Sequence, residues 1–344
     1  MHLALIIRTI LWNACIALAL VIFPMACPTL PACSALNCSG VCDEADRCVP
    51  VPIVDPDPDA RSKPDGGIAL SLRVGIWNIE WFGDSPDGGN GPSDAILQRE
   101  NVAAVFNSTE LRDVDIWGLQ EIVGVNDFQL LMAQLPQRTG LLSTDLPDGW
   151  KHYYAAEQKV GLIFRSDRIT VTSQQLILTA EASHFAGRPP IELQLVLRDA
   201  ERSFTFYVIV LHMKAETNLD SYNLRKSAAA DLKNYLDVHR SGASVLVIGD
   251  WNDDVDVSTV KPLPSPYEAF INDKAHYEFL TAELSVAKKP TTVSGFSNPI
   301  DHQLMSSTFF GSYIRGSAEV IKPAITNYGN TTSDHYPVTA RFEF

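Results

Sequence analysis

The sequence predicts an α+β or α/β sandwich around one large core. Three observations lead there. Between residues 69 and 344, runs with strand character intermix with runs whose apolar residues recur at helical spacing. Several strand-like runs, such as Val245 to Ile248, are apolar at successive positions, so both faces must be covered. About 275 residues follow the last linker-like stretch, enough for one sizeable core.

The chain opens on a targeting pattern. Residues 1–8 carry His2 and Arg8, and an apolar run extends from Ile10 to Phe23 before Pro24. That run is short for a bilayer span and has the build of a signal-peptide core. Residues 1–26 are therefore expected to be a signal peptide and the protein to be exported. A small residue precedes Cys27 in "PMAC" and Cys33 in "LPAC". This resembles a bacterial lipoprotein site, so a lipidated Cys tethering the protein to a membrane is one reading. Simple cleavage and secretion is another, and an uncleaved anchor a third.

Cysteine usage agrees with export. Cys15 lies in the apolar run, and Cys27, Cys33, Cys38, Cys42 and Cys48 all fall within residues 27–48. With Cys27 lipidated, four remain for two disulfides in a small knot. A zinc site is disfavoured, because the intervening stretches hold no His. Residues 49–68 are rich in Pro and Asp, a linker with too few large apolar side chains to order itself.

Residues 69–344 follow as one domain. "LRVGIWNI" reads as a strand. "SDAILQRENVAAVFNS" reads as a helix capped by Ser93 or Asp94. "VDIWGLQEI" is a strand and "NDFQLLMAQL" a helix starting at Asn126 or Asp127. "KVGLIFRS" is a strand, and "IELQLVLRD" and "SFTFYVIVLHM" form a hairpin through Asp199 to Arg202. "SYNLRKSAAADLKNYLDVHR" is a helix, and "ASVLVIGD", "IDHQLMSS" and "YPVTARFEF" complete the strands. Residues 255–298 look like a long irregular surface excursion. No fixed-period repeat is present.

The strand ends carry the chemistry. "VIGDWNDD" drives an apolar strand into Asp250, Asn252, Asp253 and Asp254. Alone this could be a polar turn. Yet the same ending recurs with Asn78 and Glu80, with Glu121, with His212, with Asp301, and with Asp334 and His335 before the last strand. Repetition points to one shared site on loops held by a rigid scaffold. Carboxylate and amide oxygens without Cys suit magnesium, calcium or manganese. Two imidazoles add acid–base capacity. No nucleophilic Ser or Cys motif accompanies them, which implies water attack on a phosphoester. The net charge of −14 fits poorly with a basic nucleic-acid groove. A bound cation would supply positive charge at the phosphate instead.

In order, "WNIEWFG", "LQEI", "VLHMKA", "VIGDWNDD", "IDHQLMSS" and "TSDHYPVTARF" resemble the signature segments of the endonuclease/exonuclease/phosphatase superfamily. The resemblance spans residues 72–344, is nearest to an exported bacterial nuclease-like branch, and implies a DNase I-like fold. That fold is a four-layer α/β sandwich, two packed mixed β-sheets flanked by helices. It also implies roles. Glu121 would be the principal metal carboxylate, with Asn78, Glu80 and Asp334 as further metal-site residues. Asp250 and Asn252 would position water and phosphate. His335 would be the catalytic imidazole, oriented by Asp301. His212 matches a second histidine that the pancreatic-type DNases orient with a Glu. Here Gln158 stands at that place, with Glu157 beside it, which puts an acid role for His212 in doubt. Lys214 and Arg225 are candidates for contact with backbone phosphate.

His239 and His276 read as surface residues, and His302 should face away from Asp301. Trp81 and Phe82 read as core or loop anchors. The expected function is a magnesium-dependent (or calcium- or manganese-dependent) phosphodiesterase, acting as a monomer on nucleic acid, with DNA favoured over RNA. One rival keeps the chemistry and changes the substrate to a small or lipid phosphoester. The other is a non-catalytic surface binding module, which the near-complete motif set disfavours.

Overall fold

The computed structural model describes residues 69–84, 89–154 and 156–344, together with the backbone of residues 41–42 and 48–49. The chain divides into two compact units, Met1–Gly67 and Ile68–Phe344. In the first, β1 (Val41–Cys42) pairs antiparallel with β2 (Cys48–Val49), with Cys42 opposite Cys48 in the register. The expected signal peptide, lipid site and linker, and the disulfides, otherwise lie outside the described residues. Among the described residues no helix is long and apolar enough to cross a membrane.

The second unit begins with β3 (Ser71–Phe82), α1 (Ala95–Asn107), β4 (Ile116–Ile122), α2 (Val125–Met132), β5 (Arg138–Leu142) and α3 (Gly149–His152). Next come β6 (Lys159–Arg165), β7 (Ile169–Leu176), β8 (Ile191–Arg198), β9 (Ser203–His212), α4 (Leu219–His239) and β10 (Val245–Asp250). It closes with α5 (Glu268–Ile271), β11 (Tyr277–Phe279), α6 (Ala282–Val286), β12 (Asp301–Ser306), β13 (Glu319–Val320), α7 (Tyr328–Thr331) and β14 (Val338–Glu343). Two six-stranded mixed sheets result, ordered β13-β14-β3-β4-β6-β5 and β11-β12-β10-β9-β8-β7.

Strand alternation explains the layers. In β3, Val74 and Ile76 join Leu193, Val208, Leu246 and Ile248 of the other sheet in a shared core. Trp77 and Ile79, pointing the other way, pack with Val102 and Phe106 of α1 and Leu131 of α2. On the far side, Val245 and Val247 of β10 pack with Ala228, Leu232 and Leu236 of α4. The order is helix, sheet, sheet, helix: the four-layer α/β sandwich. Asp94 caps α1, accepting from the Ile96 and Leu97 amides at 3.1 and 2.9 Å.

Some elements depart from expectation. β5 and β7 fall at sheet edges, where β7 buries little beyond Ile169 and so lacks an apolar run. Residues 255–298 are not a plain excursion. They contain α5, β11 and α6, and they bury Tyr267, Phe270 and Phe279 around the Trp251 ring.

Candidate active site

Strand direction gathers the polar ends. β3 and β4 run parallel, as do β9 and β10, so Asn78, Glu121, His212 and Asp250 finish at like ends of their sheets. β12 runs antiparallel to β10 and pairs Asp301 with Asp250. β14 runs antiparallel to β3 and pairs Val338 with Ile76, so His335 enters from the same end. Gly249 permits the close pairing: its φ is +152°, and a Cβ there would lie 2.1 Å from the Leu211 carbonyl oxygen.

The sheets meet through Asn78. Its Nδ2 donates to Glu121 Oε1 and to Asp250 Oδ2, both at 3.0 Å. Its Oδ1 accepts from the Glu80 amide at 3.0 Å. Glu121 Oε2 accepts from the Trp81 amide at 3.1 Å. His212 Nε2 lies 3.7 Å from Glu121 Oε1 and 3.6 Å from Asp250 Oδ2, and neither ring nitrogen has a hydrogen-bond partner. His335 Nδ1 is 2.8 Å from Asp301 Oδ2, which also accepts from the Thr291 hydroxyl at 2.5 Å. His335 Nε2 faces Asp250 Oδ2 and Asp334 Oδ1, each at 3.9 Å. Asp250 Oδ1 accepts from the Asn252 amide at 2.8 Å, while Asn252 Nδ2 donates to Met213 O at 3.1 Å. Glu80 Oε2 accepts from the Asp334 amide at 2.9 Å.

Glu80, Trp81, Glu121 and Asn252 all hold positive φ, between 43° and 62°. Each such residue costs on the order of 1–3 kcal/mol, strain that collects where side chains must be aimed. Burial, then Asp301, pushes Asp250 up to about 7. Burial, then Asp334, pushes Glu80 up to about 7. Burial also raises Glu121. For His335 burial favours the neutral ring, but Asp301, Asp250 and Asp334 outweigh it and hold the pKa well above the usual value. His212 is held well below it by burial and by the Arg188 cation.

These groups fit a hard divalent cation. Glu121, Asp250 and His212 offer ligand atoms within 4.8 Å of one another, and so do Asp250, Asp301 and His335. Buried carboxyls crowded this closely ionise readily only when another positive charge takes the proton's place. Glu80 and Asp334 flank the cluster.

Residues 75–335 match the profile of the Endonuclease/Exonuclease/phosphatase family. The chain belongs to that family. Members of the endonuclease/exonuclease/phosphatase family are phosphoric-ester hydrolases that use divalent metals. Solved structures share the fold at low identity. A family protein from Bacteroides vulgatus superposes with TM-score 0.56 at 18% identity, covering 80% of this chain and 99% of its own. D. rerio TDP2 complexed with single strand DNA product gives 0.54 at 14%, covering 80% and 99%. The Bacteroides thetaiotaomicron mannosyl-6-phosphatase gives 0.50 at 15%, covering 79% and 100%. No curated protein sequence matches the chain.

One expectation needs correction. Arg225 does not face substrate. It is fully buried on α4, its guanidinium 2.9 and 3.1 Å from Asp253 Oδ2 and donating to the Lys214 and Glu216 carbonyls. It pins the loop after β10. Gln158 does not orient His212 through its carbonyl oxygen, which accepts from Arg188 Nη1 at 2.6 Å. Lys214 is part-exposed and paired with Glu216 at 3.0 Å. Phe82 is buried, as expected of a core anchor, and Trp81 is partly buried.

Arg188 is the residue sequence reading missed. It precedes β8, donates to Gln158 and to Met213 O (3.2 Å), and leaves its buried Nε without a partner. Its sequence signal is slight: one cation in "GRPP" just before a strand.

Proposed function

We propose that the protein is an exported, divalent-metal-dependent phosphodiesterase that hydrolyses DNA, and RNA secondarily, by in-line attack of water. The observation that carries the reading is the His335–Asp301 pair aimed at Asp250, across from Glu121 and Asn78. Asp301 holds the imidazole with Nδ1 inward and Nε2 toward the cleft and supports its charged form. Asp250 and Asn252 align water, and Nε2 exchanges a proton with the reacting oxygens. Glu121, with Asn78, Glu80 and Asp334 around it, would hold magnesium, or calcium or manganese in its place. The bound ion supplies electrostatic stabilisation of charge on the phosphoryl group. His212, buried and neutral, is a contact for metal or phosphate rather than an acid.

A DNA substrate is supported by TDP2, a fold neighbour solved with a DNA product. The sugar-phosphatase neighbour and the net charge of −14 favour the second reading, a small phosphoester. Export rests on residues 1–26, and lipidation on the Cys27 and Cys33 contexts.

The test offers purified chain plasmid, single-stranded DNA, RNA and bis(p-nitrophenyl) phosphate, each with magnesium, calcium or chelator, beside a His335→Ala control. Metal-dependent cleavage of nucleic acid supports the proposal. Cleavage of the small ester alone moves the substrate to the second reading, and cleavage that survives chelator removes the mechanism.

A further inference from the structure

One cavity lies away from the cleft and has no role so far. It measures about 540 Å3 and is lined by Arg112, which follows α1, Arg138, which opens β5, and Arg165, which ends β6. The chain holds 27 basic and 41 acidic residues, so three guanidiniums around one hollow are not the by-product of a basic surface.

The fold sets these charges against one another. β5 and β6 pair antiparallel with Arg138 directly opposite Arg165. Like charges placed this way in a strand pair are destabilising. Arg138 directs its donors to neutral groups, Nη1 to Val114 O at 2.8 Å and Nη2 to Arg112 O at 2.9 Å. Burial, then the Arg165 cation, lowers its pKa to about 10, although Asp113, Asp115 and Asp167 act in the opposite sense.

Nearby carboxylates do not cancel the excess. Asp113 is held by Arg73 at 2.7 Å and Asp115 by Arg168 at 2.6 Å. Arg165 has Asp167 at 2.7 Å. The exposed Arg112 side chain makes no hydrogen bond or ion pair among the described residues. Arg112 and Arg138 therefore bring positive charge to the cavity without a carboxylate to meet it, and a guanidinium partly withdrawn from water calls for an anion.

Chemistry and size narrow that anion. A carboxylate is matched by a single guanidinium fork, whereas a phosphate group presents oxygens to several at once. The volume is that of a small-molecule site, more than a phosphate group fills alone. Phe106, Leu135 and Pro136 add an apolar wall, and the exposed Gln137 an amide. An extended polyanion is disfavoured, because Glu110, Asp113 and Asp167 stand exposed around the arginines.

We infer that the cavity between Arg112, Arg138 and Arg165 is a binding site for a small phosphomonoester, separate from the catalytic cleft. β4 keeps the two apart: Ile116 lies at the cavity end and Glu121 in the cleft, a run of roughly 17 Å at about 3.3 Å per residue. The inference does not depend on the substrate proposed above.

The test is calorimetry of the full chain in chelator at pH 7, with adenosine 5′-monophosphate, inorganic phosphate and adenosine as probes. The monophosphate should bind at one site, inorganic phosphate there more weakly, and adenosine not at all. Arg112→Ala should weaken the monophosphate about 10- to 100-fold, the loss of a charge-assisted contact, and Arg112→Lys should recover part of it. Arg112 supports nothing in the fold through its side chain, so both variants should melt at the parent temperature. Parent-like binding by Arg112→Ala overturns the inference, as does adenosine binding as tightly as its monophosphate, or no saturable binding of either anion. Binding that Arg112→Ala keeps and His335→Ala loses also overturns it and moves the anion to the cleft. Metal-dependent hydrolysis of bis(p-nitrophenyl) phosphate should be unchanged in Arg112→Ala, and its loss there would overturn the separation of the two sites.

Discussion

Asn78 Nδ2 lies 3.0 Å from Asp250 Oδ2, a hydrogen bond from the end of β3 in one sheet to the end of β10 in the other. The same nitrogen holds Glu121. Removing it leaves two raised carboxyls facing each other without a shared donor. Asn78→Ala should weaken metal activation by about 10- to 100-fold, the usual cost of losing a supporting partner. Titrating activity against magnesium checks this, and an unchanged activation midpoint would count against it.

Asp301→Asn should lower kcat by roughly 10²- to 10⁴-fold with a smaller change in KM. The amide neither stabilises the imidazolium nor enforces the tautomer. Asp301 is a leading cause of the raised His335 pKa, so the limb of the pH–rate profile that reports His335 should move to lower pH. A profile identical in shape to the parent's would exclude His335 as the titrating group.

Chelated protein should lose stability as pH rises from about 6.5 to 8. Burial pushes Glu80 and Asp250 up to about 7 in the folded chain, against ordinary values of 4.5 and 3.8, and His335 is raised as well. In that window the folded chain binds more protons than the unfolded one, so stability falls with increasing pH. The lowered His212 acts oppositely, but chiefly below its ordinary value of 6.5. Magnesium should release those protons and restore the melting temperature. Melts at both pH values, with and without chelator, decide it, and proton release on metal addition can be read from calorimetry in two buffers.

Arg225→Ala should destabilise the fold by about 3–5 kcal/mol, because Asp253 is left buried and unpaired. In whatever fraction stays folded, KM for a phosphodiester should hold. Urea unfolding measures the first effect and steady-state kinetics the second. A large KM increase in a stably folded variant would return Arg225 to the substrate.

Arg188→Ala should reduce kcat/KM by about tenfold or more, since it strips a cation from the wall against His212 and frees Gln158. Gln158→Glu should tighten the pairing with Arg188 and partly raise the His212 pKa. The measurable sign is an NMR titration of the His212 ring that shifts upward in that variant.

Much of this site was legible because each polar group ends an apolar run abruptly. Val245 to Ile248 running into Asp250 marks a strand that stops in a cleft, and six such ends imply one face. What stayed hidden were partnerships made across the fold. Nothing near Arg225 in the sequence announces that Asp253 waits beneath it, and helical spacing cannot tell a buried arginine from a solvated one. Arg188 is a lone cation before a strand, and its meaning appears only with Gln158 beside it. β7 was invisible because an edge strand with few buried residues has no apolar signature. The 255–298 region read as irregular because its elements are three to five residues long and are ordered by rings closing over Trp251.

The bond between Asn78 and Asp250 and the late arrival of His335 have a consequence for biogenesis. A ribosome must deliver everything from residue 78 to residue 335, and both sheets must dock, before water can be activated. A chain cut short before Ser333 retains thirteen of the fourteen strands found among the described residues yet lacks the His335 imidazole. Such a fragment should be inert as a phosphoric-ester hydrolase, so the chemistry of this design waits on the segment that carries His335.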